Sequence, residues 1–156
     1  MDNRFVKPEK FIPEEGLIPD RRIVSAILLN NKGEMVLFRR GEKNKFFPGY
    51  FHILTEKLEG EEDSIEGLIR GVFEEAGIEI SKDEVFKMGN NEFTRWDGFC
   101  SEVDSYCVFI GEEKIKLNRE HPEYLLVKPS EVQGLKVTPT VVDMLERLKE
   151  YNPLDL

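Results

Sequence analysis

Adjacent glutamates at 74 and 75, an arginine at 70 and further glutamates at 62 and 56 fall within one stretch, EKLEGEEDSIEGLIRGVFEEAGI, from Glu56 to Ile78. Carboxylate oxygens are hard ligands suited to Mg2+ or Mn2+, and a cation held by them reverses the local electrostatics so that an anionic phosphate can approach. Arg70 stands at the i, i+4 spacing from Glu74, where a helical ion pair forms. At about 100° per residue, the count assigns Arg70, Glu74, Gly71 and Glu75 in order to the side away from the apolar stripe, with Glu74 and Glu75 flanking Gly71. Periodicity alone leaves a second reading open, that of an ordinary solvated helix face.

A helix must hold those acids, and the same stretch encodes one. Ile65, Leu68, Ile69, Val72, Phe73 and Ala76 recur at spacings of three and four, which predicts an amphipathic helix from Asp63 to Ala76. Asp63 is its expected N-cap, Glu66 closes a capping box, and Gly77 is the expected stop. Upstream, RIVSAILLN and EMVLFRR are β-rich apolar runs joined by Asn31, Lys32 and Gly33, the pattern of a hairpin or of closely connected central strands. The segment GEKNKFFPGYFHIL breaks at Gly41 and at Pro48-Gly49, giving a basic loop and a short strand around Tyr50 to Leu54. EVFKMG, NEFTRW, SEVDSYCVFIG and EYLLV read as strands, and TPTVVDMLERLKEY starts a second helix at Pro139. Strands, helix, strands, helix, with no internal repeat, predict an α/β/α sandwich with a mixed sheet between helices. Residues 1–21, with Pro8, Pro13 and Pro19 among charges, read as an irregular N-terminal arm, leaving 22–156 as one domain.

Composition limits the partners. The chain has 156 residues and a formal charge of -9, which argues against a nucleic-acid polymer, since phosphate backbones are held by a Lys/Arg surplus. No apolar run is long enough for a membrane span, and the N-terminus lacks the apolar stretch of a secretory signal, so a cytoplasmic location is expected. A small anionic ligand remains possible, and a homodimer is left open. Cys100 and Cys107 are the only cysteines, too few for a disulfide scaffold, and read as packing residues. Arg39, Arg40, Lys43 and Lys45 lie before the acidic stretch, where they would meet an anionic ligand or, on the blander reading, stay solvated. His52 suits a pocket lining or a structural role equally well, and His121 follows Glu120.

The stretch from Glu56 to Ile78 resembles the Nudix box, Gly-x5-Glu-x7-Arg-Glu-U-x-Glu-Glu-x-Gly-U with U a large aliphatic residue. Aligned without gaps it supplies Glu62, Arg70, Val72, Glu74, Glu75, Gly77 and Ile78, seven of nine fixed positions. The segments FFPGYFHIL and NREHPEYLLV are similar to the flanks of the box in the family's nucleotide pyrophosphohydrolases. The resemblance implies a Nudix fold and a Mg2+- or Mn2+-dependent hydrolase of nucleoside diphosphate-linked compounds, in which water attacks phosphorus. It implies Glu74 and Glu75 as metal ligands, Arg70 as a partner orienting a carboxylate, Glu62 in support, and Glu120 as a late glutamate serving metal or water.

Two positions depart from the pattern. Glu56 stands where the family has its first glycine, which would favour a positive φ, and Gly71 stands where the family has a glutamate that binds metal and in some members acts as general base. Glu56 and Glu120 are the candidates for a substitute carboxylate; because one position gains an acid as the other loses one, Glu56 is expected to reach into the gap at Gly71 as a third metal ligand. The alternative is a catalytically impaired nucleotide-binding or regulatory module. A diphosphate isomerase of the same fold is a weaker reading, because the cysteine that branch uses is absent between Pro48 and Gly60.

Overall fold

The computed structural model describes residues 9–96, 98–117 and 123–151; Glu120 and His121 lie outside them. Nine strands and two helices are described: β1 (Glu9–Phe11), β2 (Arg21–Asn30), β3 (Met35–Arg39), β4 (Phe51–His52), β5 (Leu54–Lys57), α1 (Ser64–Ala76), β6 (Val85–Lys87), β7 (Glu92–Trp96), β8 (Phe99–Gly111), β9 (Tyr124–Val127) and α2 (Pro139–Tyr151). The strands form one mixed sheet with the path β1-β7-β8-β2-β3-β4, to which β5 adds on β2, β6 on β8 and β9 on β3.

The central pair is parallel: β2 and β8 run in register from Arg21↔Ser101 to Leu29↔Phe109. Both faces of β2 are covered, which is why its sequence reads as a continuous apolar run. Val24, Ala26 and Leu28 join Leu68, Val72 and Ala76 of α1 in one core layer. Ile27 and Leu29 face the other way, onto Val141, Met144 and Leu148 of α2. The expected sandwich is the observed one. The hairpin turn at residues 31–33 is present too, but β2 and β3 share only Leu29↔Met35 before diverging, β2 toward β5 and β3 toward β9.

Helix α1 ends where its sequence says. Asp63 Oδ1 accepts from the amides of Ile65 and Glu66 at 2.8 and 3.0 Å, and Gly77 closes the helix at φ 69. Its buried arc departs from expectation. Phe73, assigned to the apolar stripe, is 54% exposed, whereas Gly67, Gly71 and Glu75 are buried. The reason is angular: seven residues past Leu68, Glu75 returns to within about 20° of it, while Phe73 is about 140° away. Gly67, Gly71 and Glu75 form an i, i+4 ridge beside the stripe, and its two glycines let α1 lie close to the sheet.

The arm is not wholly irregular. Its residues 9–11 form β1, which pairs with β7 from Glu9↔Arg95 to Phe11↔Phe93, and Lys10 Nζ reaches Asp143 of α2 at 2.6 Å. Among the described residues, no helix is long and apolar enough to cross a membrane. Cys107 is buried and Cys100 half-buried, both unpaired with sulfur, and burial pushes the Cys107 thiol up to about 12; Cys107 packs in the core layer that faces α2, as expected.

A Cβ at Gly67 would overlap the Leu58 Cδ2 methyl and come within 3.1 Å of Glu62 Oε1. Gly67→Ala is therefore expected to lower stability by about 1–3 kcal/mol despite the better helix propensity of alanine. A urea midpoint equal to or above wild type, with unchanged m, would show that α1 does not need this close approach.

Candidate metal and diphosphate site

Arg70 organises the acidic residues. Its Nε and Nη2 donate to the two oxygens of Glu62 at 2.9 Å each, and Nη2 also donates to the Lys57 carbonyl at 3.0 Å. Its Nη1 donates to Glu56 Oε1 at 3.0 Å and to Glu74 Oε2 at 3.3 Å. One guanidinium thus joins β5, the loop after it and two turns of α1, in the forked geometry that arginine presents to carboxylates. Glu62, through its hydrogen bonds, and after it Glu56 raise the Arg70 pKa against the opposing effect of burial.

Glu56 does not sit in a glycine-like turn. It lies in β5 opposite Val24, so the positive φ expected at this position of the box is not needed; the glycine turn falls instead at Gly60, φ 53. Its side chain leans over α1. A Cβ built at Gly71 would lie 3.1 Å from Glu56 Cγ and 3.2 Å from Glu56 Oε2, so the glutamate already fills the place where a residue 71 side chain would begin. Burial pushes the Glu56 carboxyl above its ordinary 4.5; Arg70 opposes this, and the charges of Glu74 and Glu75 reinforce it. Glu56, Glu74 and Glu75 therefore share one electrostatic neighbourhood, although among the described residues no three such side chains form a finished metal cage. The donor set, carboxylates alone, fits a hard divalent cation.

Glu75 is 7% exposed and does not face solvent as the helical count had it. It lines a cavity of about 490 Å³ with Arg40, Lys43, Asn44 and His52. A second cavity, of about 290 Å³, lies beside it over the α2 face of the sheet and is walled by Glu56, Ser25, Ser105, Phe47 and Thr138, with Arg40, His52 and Thr55 common to both. Arg40 is more than half buried, its Nε donating to the Phe46 carbonyl at 3.1 Å, and burial lowers its pKa. His52 is 9% exposed and hydrogen-bonded through Nδ1 to the Thr138 hydroxyl at 2.5 Å and through Nε2 to that of Thr55 at 3.3 Å.

Of the basic residues expected at the phosphates, Arg40 and Lys43 line the cavity and two others lie elsewhere. Arg39 is held outside by Glu42 at 2.8 Å and Glu123 at 3.2 Å, and Lys45 lies over the Phe46 ring at 5.1 Å. Sequence reasoning did not find Thr55 and Thr138. Thr138 reaches His52 from 86 positions away, and the pairing of Phe51 with Val137 brings the two segments together.

The chain belongs to the NUDIX family: the profile described as NUDIX domain matches residues 19–153. Its fold is similar to that of the MutT protein from Methanosarcina mazei Go1, at 24% identity over 85% of this chain and 95% of that one, TM-score 0.72. It is also similar to the NUDIX domain of Shewanella oneidensis NrtR in complex with ADP ribose, at 10% identity over 90% and 94%, TM-score 0.69. A C. elegans Ap4A hydrolase is a third, at 14% identity over 85% and 97%, TM-score 0.66. At such identities these likenesses concern the fold. Comparison with curated proteins gave no match. Nudix proteins are typically hydrolases of diphosphate bonds that use divalent metals.

The Arg70 hydrogen bonds hold the Glu62 carboxyl below its ordinary 4.5. A depressed folded-state pKa means stability that is present above 4.5 and lost as pH falls through the lower folded value. The stability difference between wild type and Glu62→Gln is therefore expected to stay constant above about pH 4.5 and shrink below it. Urea unfolding across that range measures it, and a difference that grows on acidification would refute the pairing.

Proposed function

We propose that this protein is a divalent-metal-dependent hydrolase that cleaves a diphosphate linkage in nucleoside diphosphate-linked compounds. The observation that carries the reading is that Glu75 lines the same cavity as Arg40 and Lys43. A cation held at the acid and phosphate oxygens received at the bases would make a site of alternating charge suited to a metal-chelated diphosphate. When bound, Mg2+ or Mn2+ supplies Lewis acidity, neutralising phosphate oxygens and activating water.

The chain's own residues do the rest. Glu74 and Glu75 hold the ion, and Arg70 fixes the direction of Glu74. Arg40 is a desolvated cation, and a phosphate oxygen would offset its desolvation. His52, held by two threonine hydroxyls, lines the substrate side. Glu120 is proposed in the role that the resemblance implies, serving metal or water. Gly71 favours the second reading, a module that binds a nucleotide without turning it over.

A panel of nucleoside triphosphates, dinucleoside polyphosphates and nucleotide sugars, assayed with and without Mg2+ or Mn2+, separates the two. Metal-dependent cleavage of at least one compound is expected, and Arg70→Gln should lower its kcat/KM about 10–100-fold through the misplaced carboxylates. Silence throughout, together with nucleotide-induced thermal shifts, would favour the binding module.

A further inference from the structure

We propose that Glu56 supplies from β5 the metal-binding carboxylate that α1 lacks at Gly71. The inference rests on the hydrolase reading above and concerns the one position where this chain departs from the ligand pattern of its family. The two positions face each other across the seam between β5 and α1. The first carbons of a residue 71 side chain would fall 3.1–3.2 Å from Glu56 Cβ, Cγ and Oε2. That is tighter than ordinary van der Waals contact, so with a side chain at 71 Glu56 would have to shift by a few tenths of an ångström from where it lies. Glycine at 71 leaves Glu56 room to lie against α1.

The direction of that glutamate is fixed as well. Arg70 Nη1 contacts both Glu56 Oε1 at 3.0 Å and Glu74 Oε2 at 3.3 Å, so the strand carboxylate and the helix carboxylate lie around a single donor. Oε1 of Glu56 accepts from Arg70, and Oε2 lies 3.2 Å from the place of a residue 71 Cβ, the side from which the missing glutamate would have projected. The acid content of the site is conserved while its origin moves from helix to strand. A purely structural Glu56, serving only to accept from Arg70, is separable from a ligand: glutamine keeps an acceptor oxygen and the shape but loses the charge that a hard cation needs.

Binding of Mn2+ alone to the full chain, followed by calorimetry and by the electron paramagnetic resonance signal of the free ion, tests this without any turnover. Glu56→Gln is expected to weaken Mn2+ about 10-fold or more, with an unchanged thermal melt in the absence of metal. Glu56→Gly should weaken Mn2+ to the same extent, with a lower metal-free melt because glycine loosens the strand. The double variant Glu56→Gly, Gly71→Glu, which moves the acid back to the helix, should recover affinity to within about threefold of wild type, against the about 10-fold loss in each Glu56 single variant. Unchanged affinity in Glu56→Gln, alongside a large loss in Glu75→Gln, would overturn the assignment of Glu56 and leave the metal site standing. No Mn2+ binding by wild type, or none lost in Glu75→Gln, would sink the hydrolase reading itself.

Discussion

The close approach of α1 to β5 is the constraint on which the rest of this molecule depends. A helix normally stands off a sheet by the thickness of its side chains, about 10 Å between axis and sheet. Here the ridge facing β5 begins with Gly67 and Gly71, and Leu58 and Glu56 occupy the space those residues leave. The approach has two consequences. It carries Glu75, the next residue on the ridge, into a buried position at the cavity wall, and it brings Glu56 within reach of Arg70. Larger residues at 67 and 71 would lift the helix and separate the strand acids from the helix acids.

Arg70 then makes the crowding of negative charge tolerable. Three carboxylates in one neighbourhood, in a chain of formal charge -9, repel one another, and the guanidinium distributes positive charge among Glu62, Glu56 and Glu74. It does so unevenly. Glu62 receives two hydrogen bonds and a depressed pKa, whereas Glu56 is desolvated, faces Glu74 and Glu75, and has a raised one. The better satisfied acid serves as a strut. The poorly satisfied acid is the one whose ionised form gains most from a cation, the condition under which ligand groups at functional sites are usually found.

Much of this was legible in the sequence. The strands of β2 and β3, the helix α1 with both its caps, the start of α2 at Pro139 and the sandwich layering all follow from period and turn chemistry, because those signals are local. The errors were of two kinds. Phe73 and Glu75 were placed on the wrong faces because the apolar stripe was drawn through every hydrophobic residue, when the buried arc is set by the glycine ridge; burying Glu75 in preference to Phe73 reverses the usual ranking, and such reversals mark functional positions. The parallel pairing of β2 with β8, the strand in the arm and the contact of Thr138 with His52 are long-range, and no local pattern announces them.

The two departures from the family pattern look independent when positions are counted one by one, since each is a mismatch in its own column. In space they are neighbours. The Cβ of any larger residue at 71 would press on Glu56 at 3.1–3.2 Å, so a change at one position is felt at the other. On the proposal that Glu56 is a ligand, the chain keeps the number of carboxylates in the family's pattern and moves one from helix to strand. A linear motif records which residue carries a group; the chemistry of the site depends on where the group ends up, and β5 and α1 present their side chains to the same volume.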